Sequence, residues 1–354
     1  MTTFVSTSEE LMPRQSSTRP QAPEGVSRNT KASAFCSFVQ RYNDLVLQTH
    51  DYPDPDAIAA AYGLAALISA LGGQAVICYT GSITRAITQE MLSILRIPIL
   101  PAVCRPGKDS AILVVDGRIQ NTNVTKFPAK YVAEIDHHPT KNAQIRVAFR
   151  DVRPHYGSAS SIVGEYWRDL GLPIPRSVAT ALAIGLNTDT QRLMRETHIA
   201  DIEIYSWLFK KVDRTYLQYV LNNNIERADF QYYSRAITSL IVRENFGLAD
   251  LEELDNPALI AIIGDFLLTA KEIGVMLTLA LSENKVMLSL RSEDPEYPVN
   301  DISMFITQGI GSAGGHRSMA AGTCPIPEGT DPVSLKKQII DRYFSCLKTG
   351  YGLS

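Results

Sequence analysis

The chain has 354 residues, 45% of them hydrophobic and 20% charged, with a net charge of −3 and a pI near 6.1. That length exceeds one ordinary hydrophobic core and predicts two domains of a globular protein. The mild acidity excludes a bulk basic surface of the kind that holds long duplex nucleic acid, so any nucleic-acid partner is expected to be short. Cys36, Cys78, Cys104, Cys324 and Cys346 are odd in number, scattered and without CxxC spacing, which predicts reduced thiols rather than a disulfide frame or a zinc site. No apolar run approaches the ~18 residues that span a bilayer, and the N-terminus has no apolar signal core. The expectation is a cytoplasmic protein with no membrane partner.

Residues 1–33 are rich in Ser, Thr, Pro, Gln and Arg and read as a mobile tail. From 34 to 195, short apolar runs (Asp44–Thr49, Gln74–Tyr79, Ala111–Val115, Tyr131–Ile135) alternate with helical patterns near 57–71, 86–95, 159–170 and 176–186. Such alternation predicts an α/β domain with a mostly parallel sheet covered on both faces. Residues 196–240 carry helical spacing (Ile202, Tyr205, Leu208, Phe209, Tyr216, Tyr219, Val220) and read as a connector. In 241–350, Gly274–Ser282 and Lys285–Ser292 flank Glu283-Asn284 as a hairpin. A helix near 300–309, a glycine-rich loop at 309–315 and a last helix near 333–347 complete a second, smaller α/β domain.

Chemistry concentrates where the strands of the first domain end. His50, Asp54 and Asp56 follow the first apolar run, Asp116 follows the third, Asp136-His137-His138 follows the fourth, and Asp189 lies in Asn187-Thr-Asp-Thr190. Open α/β sheets place ligands beyond the carboxyl ends of their strands, so all of these are expected at a strand end or in the loop just after one, facing one crevice. Taken singly, Asp54-Pro55-Asp56 is an ordinary helix start and Asp116-Gly117 an ordinary turn. Taken together, four carboxylates and paired histidines have the charge and donor chemistry to hold two hard divalent cations, manganese before magnesium or cobalt. Ser158, Ser160 and Ser161 stand near a helix start and read as caps or minor phosphate contacts.

This series resembles the motifs of the DHH phosphoesterases. Leu290-Arg291-Ser292, Gly314-Gly315-His316 and Ala320-Ala321-Gly322 resemble that family's DHH-associated C-terminal domain. The resemblance implies a first cation on His50, Asp54 and Asp116, and a second on Asp56, Asp116, His137 and Asp189, with Asp116 bridging. It implies that His138 faces the substrate phosphate, that Asp136 orients the histidines, and that Arg291, Ser292, Gly314, Gly315 and His316 bind substrate from the second domain across a cleft. Asp116, Asp136 and His138 are thus the candidate catalytic residues. Two departures stand out: Ala313 replaces a glycine common in relatives, and Gln191-Arg192 follows Thr190 where many relatives have glycine. Arg192 is either a further phosphate contact or a surface arginine.

The implied activity is metal-dependent hydrolysis of short oligonucleotides or small nucleotides, as in the bacterial group that degrades nanoRNA and dephosphorylates 3′-phosphoadenosine 5′-phosphate. A cyclic dinucleotide phosphodiesterase is the alternative; a pyrophosphatase, whose Ser-Arg-Lys signature is missing, and a non-catalytic nucleotide sensor are further ones. A RecJ-type exonuclease would carry an added oligonucleotide-binding fold. The resemblance is also compatible with a homodimer.

Overall fold

A computed structural model describes residues 31–42, 44–101, 110–139, 145–222, 225–329 and 331–348. Most of the expected tail, and Cys104, lie outside them. The first domain comprises α1 (Lys31–Arg41), β1 (Asp44–Thr49), α2 (Pro55–Ala70), β2 (Gln74–Tyr79), α3 (Ala86–Leu95), β3 (Ile99–Pro101), β4 (Ala111–Val115), β5 (Tyr131–Asp136), β6 (Phe149–Val152), α4 (Ala159–Asp169) and α5 (Arg176–Asp189). Helix α1 begins at Lys31, inside the stretch read as tail. Helices α6 (Ile199–Phe209), α7 (Arg214–Asn222) and α8 (Phe230–Thr238) follow.

The second domain holds β7 (Ile241–Arg243), β8 (Phe246–Glu253), α9 (Leu259–Leu267), β9 (Val275–Ser282), β10 (Lys285–Ser292), α10 (Val299–Thr307), β11 (Ser312–Gly315), β12 (Met319–Pro325) and α11 (Pro332–Lys348). The hairpin across Glu283-Asn284 is as expected, with Glu283 at φ 54° making the reversal. The expected glycine-rich loop is in part a strand. Its Ser312–Gly315 segment pairs along β12, because small residues permit the close approach that the edge requires.

The first sheet is wholly parallel, in the order β3-β2-β1-β4-β5-β6. Its order reverses between β1 and β4, which opens a crevice at their carboxyl ends. Register then decides what faces that crevice. Thr49 lies beside Val115, and Val115 beside Ile135, so His50, Asp116 and Asp136 emerge side by side. The second sheet runs β11-β12-β10-β9-β8-β7 and is antiparallel except for the β8–β9 pair, which α9 connects. Apolar cores lie on both of its faces. Among the described residues the cysteines are buried and joined in no disulfide, and no helix is long and apolar enough to cross a membrane.

Helices α2, α4 and α5 pack with glycines at their closest approaches. A methyl on Gly63 would lie 2.9 Å from Val163 Cγ1 and 3.0 Å from Leu182 Cδ2. One on Gly185 would lie 2.3 Å from Ser160 Oγ and 2.9 Å from Asp56 Oδ1. Overpacking of this kind costs about 1–3 kcal/mol. Gly185→Ala is therefore expected to lower the unfolding free energy by that amount, read as a lower midpoint in denaturant. An unchanged midpoint would show that α5 slides freely past Asp56.

Candidate metal centre

The site begins with how each ligand-type side chain is aimed. His50 follows β1 and donates Nδ1–H to the Asp51 carbonyl at 2.8 Å. Its Nε2 is thereby left facing Asp116 Oδ2 at 3.6 Å and Asp54 Oδ1 at 3.9 Å. Asp54 caps α2, accepting from the Asp56 and Ala57 N–H groups at 3.0 Å each, with Pro55 opening the helix. Asp56, fully buried, lies inside the first turn of that helix, the helix start that Asp54-Pro55-Asp56 suggested. Its carboxylate accepts from the N–H groups of Ala159 (2.7 Å) and Ser160 (2.9 Å), fastening the start of α4 to the start of α2. Ser158 caps α4, accepting from the Ser161 N–H.

Asp116 occupies the middle. Its backbone is left-handed (φ 58°), a conformation that Asp tolerates better than most residues, and its N–H donates to Ile135 O at 2.9 Å. Oδ1 lies 3.3 Å from His137 Nε2 and 3.6 Å from His138 Nδ1, so three imidazoles surround one buried carboxylate. His137 donates Nδ1–H to the Tyr156 carbonyl at 3.2 Å, which leaves Nε2 as a lone-pair donor 3.1 Å from Asp189.

Asp189 is the last residue of α5, a correction to the strand-end expectation. The polar run Asn187–Thr190 stays helical because its side chains bond back to the preceding turn, Asn187 to Ala183 O, Thr188 to Gly185 O and Thr190 to Leu186 O. Asp136 orients His138 only, at 2.8 Å to Nδ1; the carbonyl of Tyr156 performs that service for His137. Arg118, which sequence reasoning missed, is buried beside Asp136 with Nε at 2.9 Å.

The donor set fits divalent cations. Three groups, His50–Asp54–Asp116, Asp56–His137–Asp189 and Asp116–His137–His138, each place their ligand atoms within 4.8 Å of one another. Asp116 Oδ1 and His137 Nε2 are buried and close, yet neither has a hydrogen-bond partner. Two electron-pair donors converging in that way suit a shared cation better than each other.

The same carboxylates favour protonated imidazoles. Burial disfavours the His50 imidazolium, but Asp54 and Asp116 outweigh it and raise its pKa to about 10. His137 is raised likewise, against burial, by Asp116 and Asp189. Burial, then the neighbouring Asp189 and Asp116 charges, push Asp56 up. Asp54 goes down despite burial, through His50, Arg85 and the helix amides.

From the second domain, His316 reaches the cluster, its ring centroid 5.5 Å from that of His138 and its Nδ1 3.4 Å from Glu196. Gly315 sits at φ 156°, and a methyl there would lie 2.3 Å from Met319 O. Ala313 is accommodated because Gly322 stands opposite it on β12. Gly314, Gly315 and His316 line a cavity of about 1060 Å³ shared with His137, whose remaining wall includes Tyr156, His155, His198, Met194 and Met304.

Arg291 and Ser292 are not in that wall. Arg291 is buried, with Nε donating to Asp265 at 2.7 Å and Nη1 to Ser289 Oγ and Leu290 O. Ser292 bonds within its own turn to Asp294 and borders a separate depression. Arg192 donates to Leu221 O and Asn222 Oδ1 at the end of α7, which makes it a tether rather than a phosphate contact. Gln191, Arg192 and Leu193 are all left-handed, the conformation that glycine adopts most readily.

Comparison with known proteins agrees with this geometry. The DHH family, N-terminal domain, matches residues 45–186. An uncharacterized protein of Methanocaldococcus jannaschii is 28% identical over 284 residues, 80% of this chain and 58% of that protein. A probable manganese-dependent inorganic pyrophosphatase of Streptococcus suis is 30% identical over 165 residues, 44% of this chain and 51% of that protein. The cyclic-di-AMP phosphodiesterase GdpP of Bacillus subtilis is 25% identical over 337 residues, 88% of this chain and 49% of that protein. The chain thus spans about half to three fifths of the length of these relatives. An exopolyphosphatase-related protein from Bacteroides fragilis shares the fold, with a TM-score of 0.72 at 18% identity over 92% of this chain and 99% of that one.

Cation binding should displace the protons held on His50 and His137. Affinity for Mn2+ is therefore expected to rise with pH from neutrality toward about 10, with protons released to the buffer. Calorimetry in buffers of different ionisation enthalpy reads that release directly. A binding enthalpy independent of the buffer would show that the histidines are neutral beforehand.

Proposed function

We propose, from residues 45–186 being a DHH family N-terminal domain, that the chain is a metal-dependent phosphohydrolase of short oligonucleotides or small nucleotides. In this reading one divalent cation is held by His50, Asp54 and Asp116, the other by Asp56, Asp116, His137 and Asp189. Manganese is the first choice, since imidazole joins the carboxylates and a relative is manganese-dependent by name. Two such ions lower the pKa of a water and offset phosphoryl charge.

The protein's own contribution is positioning and charge. His138 has Nδ1 held by Asp136, which leaves its other nitrogen free of that bond; Asp136 and Asp116 raise its pKa against burial, which favours the form able to donate toward a phosphate oxygen. His316 closes the opposite side. Arg118 holds Asp136 in place. Arg291 would meet a phosphate with part of its charge already offset by Asp265, so that ion pair weakens any such grip.

The observation that carries the substrate class is the cavity. Its volume of about 1060 Å³ far exceeds that of pyrophosphate and lies at the upper end of the range for nucleotide-sized ligands. Its imidazole, phenol and thioether walls suit nucleobases, which stack on rings and pack against soft sulfur. A cyclic dinucleotide is the second reading, favoured by the match to the Bacillus subtilis enzyme over most of this chain.

With Mn2+, turnover is expected on dinucleotides or 3′-phosphoadenosine 5′-phosphate, compared with cyclic dinucleotides, with pyrophosphate slow and excess chelator abolishing all of it. Preferred hydrolysis of pyrophosphate, or activity that survives chelation, would overturn the proposal. On the same dinucleotide, Arg291→Ala is expected to raise KM and Asp265→Asn to lower it. Unchanged KM in both would confine Arg291 to a structural role.

A further inference from the structure

The candidate ligands are held from outside by two unconnected parts of the chain. On one side, the Asp51 carbonyl takes the His50 Nδ1–H, and the Asp51 carboxylate accepts from Thr125 N–H (3.1 Å) and Oγ1 (3.0 Å). The Asp51 N–H donates to Asn123 O at 2.7 Å, so the segment around His50 is tied to the segment after β4.

On the other side, one stretch, the loop 153–158 and the first turn of α4 that follows it, reaches two ligands of the other group. Its Tyr156 carbonyl takes the His137 Nδ1–H, and its Ala159 and Ser160 N–H groups hold Asp56. That loop is clamped in turn. Arg153 donates from Nε and Nη2 to Asp151 and from Nη1 to Glu165 (2.6 Å) and Tyr156 Oη (3.0 Å), while its guanidinium lies 4.9 Å from the Tyr156 ring centroid. Tyr156 donates its hydroxyl to Glu165 at 2.5 Å, Tyr166 donates to Asp151, and Asp201 accepts from Gly157 N–H. Arg153 and Glu165 appear in none of the three ligand groups. Their influence on the centre runs through Tyr156 and the loop.

We infer that the Arg153–Tyr156–Glu165 clamp is a positioning device for one cation only, the one on Asp56, His137 and Asp189. The Asp51–Thr125 tie serves the other. This rests on the dinuclear reading above. The physical reason is that an imidazole ligand is fixed in tautomer and direction by the acceptor on its other nitrogen, and disturbing such partners costs about 10- to 100-fold in metal affinity. Because one stretch of chain holds both Asp56 and His137, a shift of it moves two ligands together, whereas His50 bonds to Asp51 O and Asp54 to backbone amides of α2, none of them in that stretch.

Calorimetry and electron paramagnetic resonance of full-length protein with Mn2+ test this. Wild type is expected to bind two ions with a spin-coupled signal; fewer than two would defeat the dinuclear reading itself. Tyr156→Phe and Glu165→Gln, mild changes that keep the loop's backbone, are each expected to weaken one ion by about 10- to 100-fold and to leave a mononuclear signal from the other. In an Asp54→Ala background, Tyr156→Phe should weaken the remaining ion; in an Asp189→Ala background it should not. Asp51→Asn should give the opposite pattern. Equal weakening of both ions, or a lower melting temperature with both ions bound as in wild type, would overturn the inference.

Discussion

Negative charge gathered at the carboxyl edge of one parallel sheet is the constraint around which the first domain is arranged. Asp54, Asp56, Asp116 and Asp189 would repel one another in a site shielded from water, and burial alone would neutralise some of them. Backbone dipoles answer part of that charge. Asp54 takes two amides of α2, and Asp56 takes two of α4, so two helix starts point their positive ends at the cluster. Imidazoles answer another part, three of them around Asp116. Asp56 serves both fold and site, since the contact that joins α2 to α4 is also the contact that aims a ligand.

Much of this was legible in the sequence because a parallel sheet converts order along the chain into position in space. Strands β1, β4 and β5 are mostly apolar, with Asp44 opening one and Glu134 inside another, and His50, Asp116 and Asp136 emerge at their carboxyl ends. The misses have physical reasons. Strand β3 is three residues long and ends in Pro101. Strand β6 reads Phe-Arg-Asp-Val, and its charged residues are tolerated because Arg150 pairs with Glu134 and Asp151 with Arg153. Asp189 belongs to a helix, because side-chain back-bonding prolongs α5 beyond its expected end near residue 186. The acceptor for His137 is a backbone carbonyl, which carries no signature in any alphabet of side chains.

The second domain shows where local pattern stops being informative. Gly314, Gly315 and His316 reach the site because a glycine-rich edge strand leads directly to it. Arg291 stands on a central strand of the same sheet, and its direction is decided by Asp265, which lies on α9. Long-range pairing of that kind is not written in the residues around Arg291. The turn after Asp189 makes the converse point. Three successive left-handed residues without glycine carry strain of roughly 1–2 kcal/mol each. Bonds from Arg192 N–H to Asn187 O, from Leu193 N–H to Thr190 Oγ1 and from Arg195 N–H to Thr190 O hold them there.

The pairing of Ala313 with Gly322 restricts which substitutions the cleft rim can accumulate, and in which direction. A methyl at 313 fits because 322 has none, but the arrangement is not interchangeable. A methyl at 322 would meet the Ala313 methyl at 2.6 Å and, independently, the Ser312 carbonyl oxygen at 2.8 Å. Replacing Ala313 with glycine removes the first clash and leaves the second. Position 313 is thus free to drift between glycine and alanine while 322 is not, a one-way tolerance in which variation on one strand is licensed by invariance on its neighbour.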